Sequence, residues 1–172
     1  MDATMRVIER EGVAAVSQRR VAAEAGVPPS AVTYHYASID DLLVATLTRV
    51  NDSYVTALEA LSDDRDEALR GLAGIIARRG SGRAHLMAEC ELFLMAARRP
   101  ALRPEVDRWN RAVDAFLAPR LADPADRAGV AAAIDGLFLR GCVEDPPPGV
   151  EEVHRIIVRL VPGRRNGPAG PR

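Results

Sequence analysis

Residues 17–36 read SQRRVAAEAGVPPSAVTYHY, and this stretch decides the fold of the N-terminal part of the chain. Ser17 is a suitable helix N-cap, and a helical segment follows it as far as Ala25. Gly26 permits a tight turn, and the two prolines after it suit the first turn of a short helix. The small side chains of Ala22 and Ala25 let the two helices cross closely. This order of elements predicts a helix-turn-helix.

The second helix of such a motif enters the major groove of DNA, so its exposed side chains are candidate contacts. Short hydroxyl or methyl groups can approach base edges, while tyrosine and histidine can donate to phosphates. Free N–H groups at the start of the preceding helix suit a further phosphate. The predicted DNA-binding residues are Ser17, Gln18, Arg19, Pro29, Ser30, Ala31, Thr33, Tyr34 and His35. The alternative for the same stretch is a plain helical hairpin within an all-α core.

The rest of the chain also has a helical pattern, with proline and glycine between the periodic segments. A first helix is predicted over 2–11, ended by Gly12. A fourth helix, capped by Ser38, carries an apolar stripe at spacings of three and four residues as far as Leu61. Five more helices are predicted at about 65–79, 83–98, 102–118, 124–142 and 150–161. The predicted fold class is therefore all-α.

The sequence predicts two domains and a tail. Residues 1–50 form the helix-turn-helix DNA-binding domain, and residues 51–161 form a helical effector-binding and dimerisation domain. The boundary falls inside the fourth helix, so the domains share an element. Residues 162–172 are rich in Gly, Pro and Arg and are predicted to be a disordered tail.

Composition and charge narrow the function without naming it. The net charge is −1, and residues 1–51 hold five arginines and six acids, so charge alone does not predict a nucleic-acid partner. No run of eighteen apolar residues and no signal-peptide pattern occurs, so we expect a cytoplasmic protein without membrane contact. In that reducing compartment the two cysteines are expected to be buried thiols.

No grouping of residues predicts catalysis, a metal or a cofactor. His35, His85 and His154 lack metal-ligand spacing, and no Cys-x-x-Cys occurs. Glu89 and Glu91 point in different directions on their helix, so each is expected to be a charge at its flank; the alternative is that one of them orients a polar group of a ligand. We therefore predict a protein that is not an enzyme, and a small helical enzyme is the least supported alternative.

Apolar side chains of the second domain project from helices expected to surround one interior. None of them is charged, so a ligand held there is expected to be apolar or aromatic. The predicted ligand-binding residues are Ile76, Met87, Cys90, Phe93, Leu94, Trp109, Val113, Phe116 and Leu137.

The last two helices, 124–142 and 150–161, have broad apolar faces that predict a homodimer. Two such helices from each of two chains would make a four-helix interface around a two-fold axis. The predicted interface residues are Val130, Ile134, Leu137, Phe138, Val150, Val153, Ile157 and Leu160. The alternative is that these helices fold back on their own chain.

The sequence resembles the TetR family of transcription regulators. The resemblance over residues 3–50 rests on Gly12, Ser17, Val21-Ala22, Ala25-Gly26-Val27, Tyr34-His35-Tyr36, Ser38 and Asp41-Leu42-Leu43. A looser match follows through Glu91, Arg99-Pro100, Leu102-Arg103, Trp109 and Asp135-Gly136-Leu137. The resemblance implies a homodimeric repressor that binds a palindromic DNA operator and releases it when a small molecule enters the C-terminal domain.

Three departures from the family pattern keep one alternative open. Thr33 stands where the family often has an aromatic residue, and Ile39 stands where it usually has a lysine. The predicted first helix is also about a turn shorter than in the family, without the usual basic arm, which is expected either if the true start lies upstream or if DNA binding is weaker than usual. The alternative is a TetR-like small-molecule binding module whose DNA binding is weak or lost.

Overall fold

The computed structural model describes residues 2–77 and 82–162, which form nine α-helices and no strand. The helices are α1 (Asp2–Glu11), α2 (Gln18–Ala25), α3 (Pro29–His35), α4 (Ile39–Glu59), α5 (Arg65–Ile76), α6 (Gly82–Met95), α7 (Arg103–Leu117), α8 (Pro124–Val143) and α9 (Val150–Leu160). The all-α prediction is confirmed. The predicted disorder of the tail concerns residues that, after Pro162, lie outside the described ones, as do the last two residues of the helix predicted over 65–79.

The capping residues that the sequence predicts are in place at both ends of α2 and at the start of α4. The Ser17 side chain accepts a hydrogen bond from the Arg20 N–H at 3.2 Å, and Gly26 ends α2 in the left-handed region at φ 67°. Ser38 and Asp41 form a capping box with bonds of 3.0 and 2.9 Å, which fixes the start of α4.

Two apolar cores lie along the chain, and α4 contributes to both. The first joins α1, α2 and α4 through side chains such as Ile8, Val21 and Leu43, and it is completed by Ala88 and Leu92 of α6. The second joins the later helices with the end of α4. α4 crosses residue 50 without a break, and Val50 packs against both cores. We call residues 2–50 the N-terminal part and residues 51–162 the C-terminal part.

The predicted dimer face is wrong for most of its residues, which belong to the chain's own core, while an interface through α8 and α9 stays a prediction. α9 packs back on α5, and Ile157 has an exposed fraction of 0%. Five of the eight predicted interface residues are buried in the second core: Val130, Ile134, Leu137, Val153 and Ile157. α5 has apolar side chains of its own to cover, Leu69 and Leu72 among them, and α9 supplies the cover.

α6 is only partly buried, although most of its side chains are apolar. Ala88, Glu89 and Leu92 are its buried residues, while Met87 and Leu94 are exposed. The helix packs on α1, α4 and α8. Within the described residues, no helix has both the length and the hydropathy needed to cross a membrane.

Candidate DNA-binding face and ligand cavity

α2 and α3 present an exposed polar face. Tyr34 has an exposed fraction of 85%, and its ring meets that of His35 edge-on at 5.1 Å between centroids. Of the other predicted DNA-binding residues, Arg19, Pro29, Ser30 and Thr33 are exposed, and Ser17, Gln18 and Ala31 are half-buried. Val32 is buried beneath the motif, whereas Val27 is exposed.

Two of the predicted contacts have polar groups already engaged within the motif. The Thr33 hydroxyl donates to the carbonyl oxygens of Pro29 and Ser30, at 3.0 and 3.2 Å. The Gln18 amide donates to the Tyr36 carbonyl oxygen at 2.6 Å, which ties the start of α2 to the end of α3. The geometry therefore gives the Gln18 side chain a structural role, while the Thr33 side chain remains exposed.

Ion pairs neutralise most of the positive charge in the N-terminal part. Four of its five arginines are paired: Arg6 and Arg10 with Glu24, Arg20 with Glu11, and Arg49 with Asp2. Hydrogen bonds from Arg10 and Arg6 lower the pKa of Glu24 to about 2. Arg19 is exposed, and the described residues form no ion pair with it. It is thus the cation of this face that is available to an anion.

A cavity of about 260 Å³ lies between α4, α6, α7 and α8, mostly within the C-terminal part. Three aromatic rings meet at its wall, with centroid distances of 5.7 Å for Tyr54–Trp109, 5.6 Å for Tyr54–Phe138 and 6.1 Å for Trp109–Phe138. The lining residues are Leu47, Val50, Asn51, Tyr54, Leu86, Glu89, Cys90, Phe93, Leu94, Trp109, Asp135, Phe138 and Leu139.

Four of the nine predicted ligand-binding residues line this cavity: Cys90, Phe93, Leu94 and Trp109. The other five lie elsewhere. Ile76, Val113 and Leu137 are buried in the second core, Met87 is exposed, and Phe116 packs under Arg120. Helical periodicity indicated which side chains point inward, but it does not distinguish a filled core from a void.

Two carboxylates in the cavity wall were missed or misjudged from the sequence. Glu89 was expected to be a flank charge, but its exposed fraction is 9% and it accepts a hydrogen bond from the Tyr54 hydroxyl at 2.6 Å. No local sequence pattern indicates that Asp135 lines the cavity. Burial raises the pKa of the Asp135 carboxyl, and a hydrogen bond from Trp109 partly offsets this increase. Apolar side chains therefore form most of the cavity wall, and Glu89 and Asp135 add two acidic groups to it.

A chain of contacts runs from this cavity to α1. The His85 ring lies between two carboxylates: Nε2 is 3.3 Å from Oε1 of Glu89, and Nδ1 is 2.5 Å from Oε1 of Glu9. Glu91, which follows Glu89 by two residues on α6, accepts a hydrogen bond from the Val13 N–H at 2.7 Å. α6 thus contributes side chains both to the cavity and to the N-terminal part. Within residues 2–77 and 82–162, no three His, Cys, Asp or Glu side chains are grouped as metal ligands.

Comparison with known proteins assigns the family. Residues 1–46 match the family of bacterial regulatory proteins named after tetR, and residues 63–163 match the tetracyclin repressor-like C-terminal domain. The HTH-type transcriptional regulator BetI of Rhizobium meliloti is 30% identical over 163 residues, covering 88% of this chain and 80% of that protein.

Solved structures agree. A TetR-family member from Streptomyces coelicolor, SCO1917, is 39% identical with a TM-score of 0.82, covering 94% of this chain and 95% of that one. The multidrug binding protein EbrR complexed with malachite green is 37% identical with a TM-score of 0.78, at 94% and 95% coverage. The all-α fold and the exposed polar face of α2 and α3 define the class of protein, a helix-turn-helix transcription regulator with a helical ligand-binding domain. The chain belongs to the TetR family, which confirms the resemblance found in the sequence.

Proposed function

We propose that this regulator is a repressor whose effector is an aromatic cation bound in the cavity. The observation that carries the proposal is Glu89, a buried carboxylate in a wall otherwise formed mostly by aromatic and aliphatic side chains. A flat cation at this place gains Coulomb attraction to the carboxylate and cation–π attraction to the rings of Tyr54 and Trp109. An uncharged aromatic ligand gains only the apolar contacts.

The related protein EbrR supports this choice of ligand, since its structure was solved with malachite green, a delocalised aromatic cation. Malachite green also suits an experiment here, because its uncharged leuco form has the same three rings. Binding of each to the chain can be followed through the fluorescence of Trp109, the only tryptophan in the sequence, which lines the cavity.

The ligand experiment compares Glu89→Gln with Glu91→Gln. Both remove a carboxylate from α6, but Glu91 faces the N-terminal part and does not line the cavity. Glu89→Gln should weaken malachite green binding by about tenfold, equivalent to about 1.4 kcal/mol, and leave the leuco form unaffected. Glu91→Gln should leave both affinities unchanged. Equal affinity of the wild type for the two forms of the dye would refute a cationic effector.

For DNA, the proposal places α3 in the major groove of a pseudo-palindromic operator. Ser30 and Thr33 approach base edges, while Arg19, Tyr34 and His35 contact phosphates. Binding should fall steeply as salt is raised, because phosphate contacts release counterions. Arg19→Ala should reduce the slope of the logarithm of the binding constant against the logarithm of the salt concentration by about one per protomer. Arg10→Ala, which removes an arginine already paired with Glu24, is the matched control.

The contacts of His85 provide a route from effector to operator. A cation that pairs with Glu89 competes with His85 and the Tyr54 hydroxyl for the same carboxylate. His85 in turn bonds Glu9 on α1, which packs against α2 of the helix-turn-helix. Ligand entry would therefore alter the attachment of the N-terminal part to α6 and lower its affinity for the operator.

A homodimer completes the proposal, since a two-fold operator needs a two-fold protein. The interface proposed here is the side of α8 that faces away from the core, where mainly small side chains would let two helices pack closely. This stripe consists of Ala125, Gly129, Ala132, Gly136, Leu139 and Val143, of which Leu139 also lines the cavity. It replaces the interface residues expected from the sequence, five of which are buried in the chain's own core.

A second candidate is a small-molecule binding module with weak or lost DNA binding. It is favoured by the ion pairs that occupy four of the five N-terminal arginines, and by Ile39 at the family's usual lysine position. A gel shift with the DNA upstream of the protein's own gene separates the two. Dye binding without preference for that DNA over random sequence would favour the module.

A further inference from the structure

The two cysteines of the chain meet beside the cavity, although they are 52 residues apart in sequence. Cys90 on α6 is half-buried and lines the cavity. Cys142, near the end of α8, has an exposed fraction of 8%, and its thiol donates to Cys90 with 3.4 Å between the sulfurs. The structure thus contains a preformed pair of thiols, one of which is reachable from the cavity.

We propose that Cys90 and Cys142 form a chelating site for trivalent arsenicals that carry an aromatic group. Each thiol displaces one hydroxyl of an arylarsonous acid, so two As–O bonds break and two As–S bonds form. Each thiol proton leaves with a hydroxide as water. Arsenic remains trivalent, and the step needs neither oxidant nor reductant. The aryl ring enters the cavity beside Phe93 and Trp109.

The geometry suits this centre. Pyramidal arsenic(III) holds its ligands at roughly a right angle. Two sulfurs bonded to the same arsenic are therefore separated by about the distance at which two sulfurs that are not bonded to each other touch, as those of Cys90 and Cys142 do here. The helices are also held at this place, because Arg83 donates to the Cys142 carbonyl oxygen at 2.6 Å and Gly141 lies close against Leu86. The thiols are therefore already positioned for chelation, which lowers the cost of ordering them.

The product of chelation suits the environment of the two thiols. The arsenic dithiolate carries no net charge, so it puts no new charge into a cavity that already holds Glu89 and Asp135.

The test uses the full chain and phenylarsonous acid, with intact mass as the first readout. One arsenical should bind per chain, with quenching of Trp109. The adduct should resist excess glutathione, a monothiol, and be removed by 2,3-dimercaptopropanol. Either single variant, Cys90→Ser or Cys142→Ser, forms only one As–S bond. Its adduct should be lost to glutathione about a hundredfold faster, since the second bond acts at high effective concentration.

Cys90→Ser is the decisive variant, because Cys90 is only half-buried and its replacement leaves the apolar core unchanged. A melting curve that matches the wild type establishes that it is folded. The proposal is overturned if glutathione strips the wild-type adduct as fast as that of Cys90→Ser. It is equally overturned if the arsenical binds both proteins without affecting Trp109, since the adduct would then lie outside the cavity.

Discussion

Removing the carboxylate of Glu9 should uncouple effector binding from DNA binding. In the structure its Oε1 lies 2.5 Å from Nδ1 of His85, and the two side chains have exposed fractions of 27% and 31%. A buried hydrogen bond to a charged group contributes about 1.5–3 kcal/mol, and partial exposure reduces this to about 1–1.5 kcal/mol. Allosteric couplings themselves are typically about 1–3 kcal/mol. Loss of this contact would therefore remove a large share of the coupling.

The assay measures the operator dissociation constant with and without saturating malachite green, for wild type and Glu9→Gln. The ratio of the two constants should fall by about five- to tenfold in the variant, while the affinity for dye alone stays the same. Glu11→Gln is the control, since Glu11 lies on the same helix and pairs with Arg20 instead of α6. A ratio in Glu9→Gln equal to that of the wild type would show that the signal does not pass through His85.

Three further predictions concern packing, assembly and pH. Ile157→Ala should lower the free energy of unfolding by about 2–4 kcal/mol in urea titrations, because the side chain is fully buried; a loss that vanishes at high protein concentration would mean that Ile157 is instead covered by a partner. Ala132→Arg should convert a dimer to a monomer in sedimentation. Ala115→Arg, which changes an exposed residue of α7, should leave the dimer intact. A dimeric Ala132→Arg protein would rule out the α8 stripe as the interface. Since the pKa of Glu24 is lowered from 4.5 to about 2, its stabilising effect is full above pH 4.5 and is lost as the pH falls through about 2. Melting temperatures should fall more steeply over this range for wild type than for Glu24→Gln, and parallel curves would contradict the ion pairs.

The helices could be predicted from the sequence because their signals are local. Ser17, Gly26 and Ser38 each act within one helical turn, so N-caps and left-handed turns follow from the residues alone. The family could be identified for the same reason, since the helix-turn-helix is one continuous stretch.

The cavity and the burial of α9 could not be predicted because both depend on long-range packing. The apolar stripe of α9 fits a partner chain or α5 equally well, and only the three-dimensional path of the chain decides that it covers α5. Glu89 has the sequence pattern of a flank charge, and its burial follows from Tyr54 and His85, which lie on its two sides in space. The pairing of Cys90 with Cys142 across 52 residues is invisible to any local pattern.

The most direct test of the proposed function is release of the operator by a cation. The protein is bound to fluorescently labelled DNA from upstream of its own gene, and the anisotropy is followed as malachite green or its leuco form is added. We expect the cationic dye to release the DNA from the wild type, the leuco form to have no such effect, and Glu89→Gln to need about tenfold more dye. An operator complex that persists while the fluorescence of Trp109 shows the cavity to be occupied by dye would contradict the proposal.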